Sequence, residues 1–152
     1  MTLAGFAGVV VVFRKESVHD WSAIDKFRLR LLLANSLLPT ADCLAAMLLL
    51  SINPPPLWIW RGASGFALAC LFPVMAMMGR PAAGRSRVKI TGRNRLVYYP
   101  FFLLGSVVIL LQVYNIAMLN VFWAFYAVII LHLFGATVQF ARIILLPPEG
   151  ET

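Results

Sequence analysis

The chain has 152 residues, of which 61% are hydrophobic and only 12% are charged, and its mean hydropathy is +0.85. A soluble domain carries roughly 25% charged residues, so this composition excludes an ordinary soluble protein and predicts a single integral membrane domain, residues 1–152. The formal charge of +7 does not predict nucleic-acid binding, because most of the positive residues cluster in two short segments beside apolar runs. Membrane orientation already accounts for such clusters.

The first apolar segment covers residues 1–13 and is followed at once by Arg14 and Lys15. As a helix it would reach about 20 Å, which is shorter than the ~30 Å hydrocarbon core of a bilayer. Its charges follow the apolar run, which is the wrong order for a cleaved signal peptide. Two interpretations stay open: an interfacial or re-entrant piece, or the end of a longer first helix that begins upstream of Met1.

Four further apolar segments are each long enough to cross a bilayer as a helix. The capping-box spacing of Ser22 and Asp25 predicts that the first of these helices begins near Ser22. Asn53 and the three prolines after it predict its end. We therefore predict an all-α membrane bundle of four transmembrane helices plus the short N-terminal segment. The apolar spans are predicted over residues 28–52, 57–78, 97–118 and 121–146.

Lys and Arg are distributed asymmetrically among the connections. The segments at 14–30 and 80–95 hold five and six of them, whereas the turns at 53–57 and 119–120 hold none. Cytoplasmic loops of membrane proteins are enriched in these residues. Both basic loops and the C-terminus are therefore predicted to be cytoplasmic, with the protein in the inner membrane of a bacterium.

The basic loops, delimited as residues 14–27 and 79–96, carry a second hypothesis. Cations beside a bilayer can each gain about 1 kcal/mol from anionic lipid, so the second loop could bind anionic headgroups or dock an acidic partner. Retention of the loop in the cytoplasm explains the same charges without a further assumption. The candidate lipid contacts are Arg80, Arg85, Arg87, Lys89, Arg93 and Arg95.

The N-terminal third also carries a recognisable combination of residues. In order, these are LAGFAGVVVVF at 3–13, Trp21-Ser22, Asp25, and Phe27-Arg28-Leu29-Arg30 ahead of a Leu-rich run. In this combination, over about residues 3–38, the chain resembles a family of small bacterial integral membrane proteins that are functionally uncharacterised. The resemblance implies a multi-pass helical bundle with a full-length first helix, and it implies no catalytic or binding residues.

Polar side chains inside the predicted spans are the candidate site residues, because each is costly in hydrocarbon. Asp42 lies about 18 Å from the cytoplasmic end of its span, and His132 lies about 16 Å from the outer end of its own. We therefore predict that both lie at one depth and form a proton-binding pair. Arg61 is the alternative partner of Asp42, since its long side chain can reach inward or extend outward to the interface. Helical spacing places Asn35 on the face of Asp42 and Gln139 on the face of His132. On the span at 97–118 it places Gln112 and Asn115 on one face.

Two functions are compatible with these polar faces. They can be interhelical hydrogen bonds worth about 1 kcal/mol or less each, or a pathway for protons or a small solute. No face carries more than one acid, whereas a pathway usually needs several ionisable groups. The favoured hypothesis is therefore a non-enzymatic structural or accessory subunit that acts through helix packing, with a membrane protein partner or as a homo-oligomer. The alternative is a small proton-linked or solute transporter or channel centred on Asp42 and His132.

No cofactor or metal is predicted. The segment GRPAAGRS, residues 79–86, differs from the phosphate-loop pattern by one residue. That pattern requires a preceding buried strand and a following helix, whereas this segment follows an apolar span and precedes more basic loop. The sequence therefore predicts neither a nucleotide site nor a catalytic centre.

Overall fold

The computed structural model of the protein describes residues 23–82 and 93–145, together with Gly5. Over these ranges the chain forms four long helices and no strand, which confirms the predicted all-α bundle. The helices are α1 (Ala23–Ile52), α2 (Pro56–Ala82), α3 (Arg93–Tyr114) and α4 (Phe122–Leu145), with a π-helical turn, Asn115–Leu119, after α3. Each helix contains a stretch long and apolar enough to cross a membrane. The predicted short segment at 1–13 lies outside the described residues except for Gly5.

α1 begins one residue after Ser22, the position near which the sequence predicted its start. In its first turn Asp25 accepts a hydrogen bond from Arg28 Nη1 at 2.9 Å, and both side chains are buried. An acid in the first turn also complements the positive end of the helix dipole. The Ser22 side chain of the predicted capping box lies outside the described residues.

An asparagine in the left-handed region ends the helical segment before each short turn. Asn53, with φ of 52°, donates its backbone N–H to the Leu49 carbonyl at 3.2 Å, and prolines follow it. Asn120, with φ of 50°, donates its N–H to the Asn115 carbonyl at 3.0 Å and closes the π-helical turn. Asparagine is among the few residues that adopt this conformation readily. The two turns lie at one end of the bundle, called the turn end below, and the opposite end is called the loop end.

The four helices form an antiparallel ring in which each helix packs against the next and α4 closes against α1. The interface between α1 and α4 is the most extensive. Small and branched side chains fill the centre, including Ala63, Ala67, Leu71 and Val128, which are almost fully buried.

The outer surface of the bundle is strongly apolar. In the apolar stretch of each helix, only 22–44% of the residues are buried inside the bundle. Leu103 and Leu110 on α3 are 67% and 69% exposed, and Leu44 on α1 is 61% exposed. Soluble monomers rarely expose contiguous apolar surface on this scale. The exterior is therefore of the kind that lipid, or another apolar surface, covers.

Gly105 on α3 lets that helix approach α2 closely. A Cβ atom at this position would lie 2.5 Å from Met75 Sδ and 2.9 Å from Met75 Cε, so a side chain here requires Met75 to move. Gly65 on α2 has nothing within 4 Å of the corresponding position. The two glycines therefore form a matched pair, one packed and one open.

We expect Gly105→Leu to destabilise the bundle by about 1–3 kcal/mol, because the added volume overpacks the contact with Met75. Gly65→Leu should cost much less. The measurement is the unfolding midpoint of each purified variant in the same detergent. Equal midpoints for the two variants would show that the approach of α3 to α2 at Gly105 is not close.

Candidate intramembrane polar site

A hydrogen bond between Asn35 and His132 joins α1 to α4. His132 Nδ1 lies 2.8 Å from Asn35 Oδ1, and the His132 side chain is completely buried. Gly135, almost one turn further along α4, lets the helices approach here, since a Cβ atom on it would lie 3.2 Å from Asn35 Cγ. The sequence analysis selected both polar residues but did not predict that they pair.

The backbone fixes the direction of this hydrogen bond. Asn35 Nδ2 donates to the Leu31 carbonyl at 2.8 Å, so the oxygen of the amide must be the atom that faces His132. That oxygen can only accept, hence His132 Nδ1 carries the hydrogen. In the neutral imidazole Nε2 is then an acceptor, and it is buried with no hydrogen-bond partner in the described structure.

Asp42 lies deepest of the acids in the described structure. Its side chain has no exposed area, and neither carboxylate oxygen has a hydrogen-bond partner among the described residues. An ionised carboxylate without a partner is very costly in such a place, so the structure fits a protonated Asp42 far better than a charged one.

The predicted contact between Asp42 and His132 is wrong, because Asp42 has no hydrogen-bond partner and His132 pairs with Asn35. At 1.5 Å per residue, Asp42 lies about 10 Å beyond Asn35 along α1, whereas His132 lies only about 4.5 Å beyond Gly135 in the same direction. The two residues are therefore offset by about 6 Å along the bundle. The prediction counted depth from helix ends and assumed that the ends are level, but α1 extends beyond the start of α4.

Arg61 extends towards the turn end instead of towards Asp42. Its Nη2 donates to the Ala117 carbonyl in the π-helical turn at 3.5 Å, a long and weak hydrogen bond. Of the two directions that the sequence left open, the structure has the outward one. Arg61 therefore does not neutralise the carboxylate.

Gln112 on α3 forms a second interhelical hydrogen bond to α4, in addition to the one between Asn35 and His132. Its Nε2 donates to the Ala124 carbonyl at 2.6 Å, and the side chain is fully buried. Because a carbonyl can only accept, the orientation of the amide is fixed and Oε1 is the atom left without a partner. Depth along the bundle can again be counted at 1.5 Å per residue from the level at which Asn35 contacts Gly135. By this count Ala124 lies about 6 Å nearer the turn end than Asp42.

Asn115 and Ser64 form a polar contact that the sequence did not predict, although Asn115 was recognised as a polar residue on the face of Gln112. Asn115 Nδ2 donates to Ser64 Oγ at 2.7 Å and to the Val121 carbonyl at 3.1 Å, and Asn115 Oδ1 accepts from the Val121 N–H at 2.9 Å. Asn115 thus joins the π-helical turn to α2 and to Val121, the residue before α4. The only signal for Ser64 in the sequence is a hydroxyl residue within a run of small residues.

Gln139 lies nearer the loop end and faces a small cavity. Its side chain is 7% exposed, and Oε1 is buried without a hydrogen-bond partner in the part of the chain that the structure describes. Gln139 and Asn35 are polar residues in the wall of a cavity of about 30 Å³. Apolar residues from all four helices form the rest of the wall.

The candidate lipid contacts are mostly outside the described structure. This holds for the side chains of Arg80, Arg85, Arg87, Lys89 and Arg93. Arg95 is described: it is exposed near the start of α3, and its guanidinium lies 5.4 Å from the centre of the Tyr99 ring. This is a cation–π distance, and it holds one cation of the set at the loop end.

Unpartnered acceptors therefore lie at successive depths in the bundle. His132 Nε2, the Asp42 carboxylate and Gln112 Oε1 follow one another from the loop side to the turn side at intervals of about 6 Å. No group of three or more metal-binding side chains is present among the residues described. What such an interior requires is hydrogen-bond donors, and protons or water are the smallest that can supply them.

No family model, curated protein or solved structure matches this chain.

We expect Asn35 and His132 to be energetically coupled. In a double-mutant cycle with Asn35→Ala and His132→Ala, the coupling energy should be about 0.5–2 kcal/mol, as found for hydrogen bonds between membrane helices. The measurement is the free energy of unfolding of the purified variants in mixed micelles. A control cycle pairs Asn35→Ala with Thr137→Ala, whose exposed hydroxyl bonds only to the Leu133 carbonyl of its own helix. Equal coupling energies in the two cycles would contradict the Asn35–His132 bond.

Proposed function

We propose that this protein is a non-enzymatic, multi-pass protein of the cytoplasmic membrane that works as a small proton-linked carrier or channel, with Asp42 and His132 as its proton-binding groups. The observation that carries the proposal is the Asp42 carboxyl group, which is fully buried and unpartnered. The sequence analysis favoured helix packing and kept the carrier or channel as the alternative, and this proposal reverses that order. The reason is that most of the other candidate polar residues have hydrogen bonds that explain their presence, whereas Asp42 has none.

The location in the membrane is supported by the apolar exterior and by the distribution of charge. The four candidate membrane-spanning helices alternate in direction, so both short turns lie on one side and the basic segment between Ala82 and Arg93 joins α2 to α3 on the other. Residues 53–55 and 120–121, which form the turns, carry no Lys or Arg. By the positive-inside rule the loop end faces the cytoplasm.

The chemistry of Asp42 supports a proton-linked role. A neutral carboxylic acid can remain in a low-dielectric interior, and it becomes an anion when its proton leaves. His132 Nε2, offset by about 6 Å along the bundle, is an acceptor that can take up a proton and form imidazolium. Under this proposal, two groups in the interior change charge at membrane depth. An amide or an apolar residue at position 42 would serve packing equally well.

A role in helix packing alone is the second candidate, and other observations favour it. The Asn35–His132, Gln112–Ala124 and Ser64–Asn115 contacts all join different elements of the bundle. The exposed apolar faces could contact a second copy of the chain or another membrane protein. Under this hypothesis Asp42 contributes to stability and not to transport.

Proton flux separates the two functions. We expect liposomes containing the wild-type protein to dissipate an imposed pH gradient, and Asp42→Asn to abolish this activity while the protein stays folded and its oligomeric size is unchanged. Ser51→Ala on α1 is the matched control, since its hydroxyl is exposed and bonds to the Met47 carbonyl of its own helix. Absence of flux from the wild type, together with lower stability or altered assembly of Asp42→Asn, would favour helix packing.

The orientation is tested by the access of a membrane-impermeant maleimide to single cysteines. Cys43→Ala and Cys70→Ala remove the native thiols, after which Pro55→Cys places one in the first turn and Ser86→Cys places one in the basic loop. We expect Pro55→Cys to react in intact cells whose outer membrane has been opened, and Ser86→Cys to react only after the cytoplasmic membrane is permeabilised. The opposite pattern would place the loop end outside the cytoplasm.

A further inference from the structure

We infer that the cavity beside Asn35 and Gln139 is a binding site for water, and that this water gives His132 access to the loop end of the bundle. The water site itself depends only on the cavity. That this water belongs to a transport pathway rests on the proposed function.

The size of the cavity suits water. Its volume of about 30 Å³ exceeds the ~10–15 Å³ that a cavity needs to hold one water molecule. Gly105 and Gly135 form part of its wall, and both lack the side chain that would occupy space there. Substituents at these positions would meet Met75 and Asn35, so the wall has little room for larger residues.

The wall also offers the polar partners that a buried water needs. Water in a protein interior usually makes two to four hydrogen bonds, whereas purely apolar cavities stay dry. Gln139 Oε1 is a buried acceptor without a partner, and a water can donate to it. Asn35 Nδ2 has two hydrogens, one of which goes to the Leu31 carbonyl, so the second is available to a water oxygen. Two amides on facing helices therefore supply one acceptor and one donor.

The position of the cavity gives the site a direction. Gln139 lies six residues, about 9 Å, from the end of α4 at Leu145, and it retains 7% exposure. His132 lies one hydrogen bond beyond the cavity wall, through its bond to Asn35. On the turn side of Asp42, Ser64, Gln112 and Asn115 are completely buried and hydrogen-bonded across the bundle. We therefore expect water to approach the Asn35–His132 hydrogen bond from the loop end and not from the turn end.

Solid-state NMR of the full chain in liposomes can test this inference. The chain has two histidines, so His19→Gln leaves His132 as the only source of imidazole signals. In this background, with ¹⁵N-labelled histidine, polarisation transfer from water protons to the His132 Nδ1–H should be detectable. Gln139→Leu should reduce the transfer severalfold. Thr137→Val, an exposed change on the same helix, should leave it unchanged.

The outcomes separate the water site from the proposed function. No transfer in the single-histidine protein, or equal transfer in Gln139→Leu and Thr137→Val, would overturn the water site whatever the flux assay gives. Transfer that depends on Gln139 supports the site even if the wild type shows no proton flux. The ¹⁵N shift of the protonated Nδ1 serves as the folding control, because it reports the bond to Asn35 in each variant.

Discussion

The hydrogen bond from His132 to Asn35 sets the register of α1 against α4, the most extensive interface in the bundle. The Asn35 amide can accept this bond because the Leu31 carbonyl holds its nitrogen, and the two helices can approach because position 135 is a glycine. Hydrophobic burial does not specify register between helices in lipid, since lipid tails are as apolar as the side chains. A directed polar contact supplies that specificity. Once it is fixed, the depth of every other residue on the two helices follows, including that of Asp42.

At the turn end, a different set of directed hydrogen bonds, made by Asn115, joins the elements of the bundle. Asn115 has a donor and an acceptor group, and both are used: the donor binds Ser64 and the Val121 carbonyl, and the acceptor receives the Val121 N–H. The π-helical turn that begins at Asn115 is closed by Asn120 in a left-handed conformation. Wider helical turns of this kind cost hydrogen-bond geometry and are often found at functional sites. Here the turn brings the amide of Asn115 onto Ser64 of α2.

The sequence predicts the helices well because their signals are local. Apolar length, the prolines after Asn53 and the short turn at Asn120 depend on residues close together in the chain, and each predicted span overlaps one observed helix. The sequence also identified polar residues that lie in the interior, since a polar group at membrane depth is rare enough to be noticed one residue at a time.

Which polar residues form hydrogen bonds with each other was not predictable in this way. α1 extends about 6 Å beyond the first residue of α4, and nothing local reveals this stagger. Counting from helix ends therefore put Asp42 opposite His132, whereas the structure puts Asn35 there.

The contrast between the amides and the acid gives the interior its chemical character. Asn35, Gln112 and Asn115 each have a donor group, and in each case that donor is hydrogen-bonded to an oxygen. Between the guanidinium groups of Arg28 and Arg61, which lie towards the two ends of the bundle, the buried side-chain atoms without a partner include acceptors on Gln112, Gln139, His132 and Asp42. An interior with excess acceptors is stabilised when a hydrogen is added, and the Asp42 carboxylate and the His132 imidazole are the groups among these that can bind one covalently. Proton binding therefore satisfies two unmet requirements at once: it removes the charge from an isolated carboxylate, and it provides a donor among atoms that have none.

An asparagine at position 42 would also supply a hydrogen-bond donor, but its amide could never release the hydrogen as a proton. The difference between a carboxyl and an amide at this one position is what distinguishes a bundle that only packs from one that can take up and release a proton.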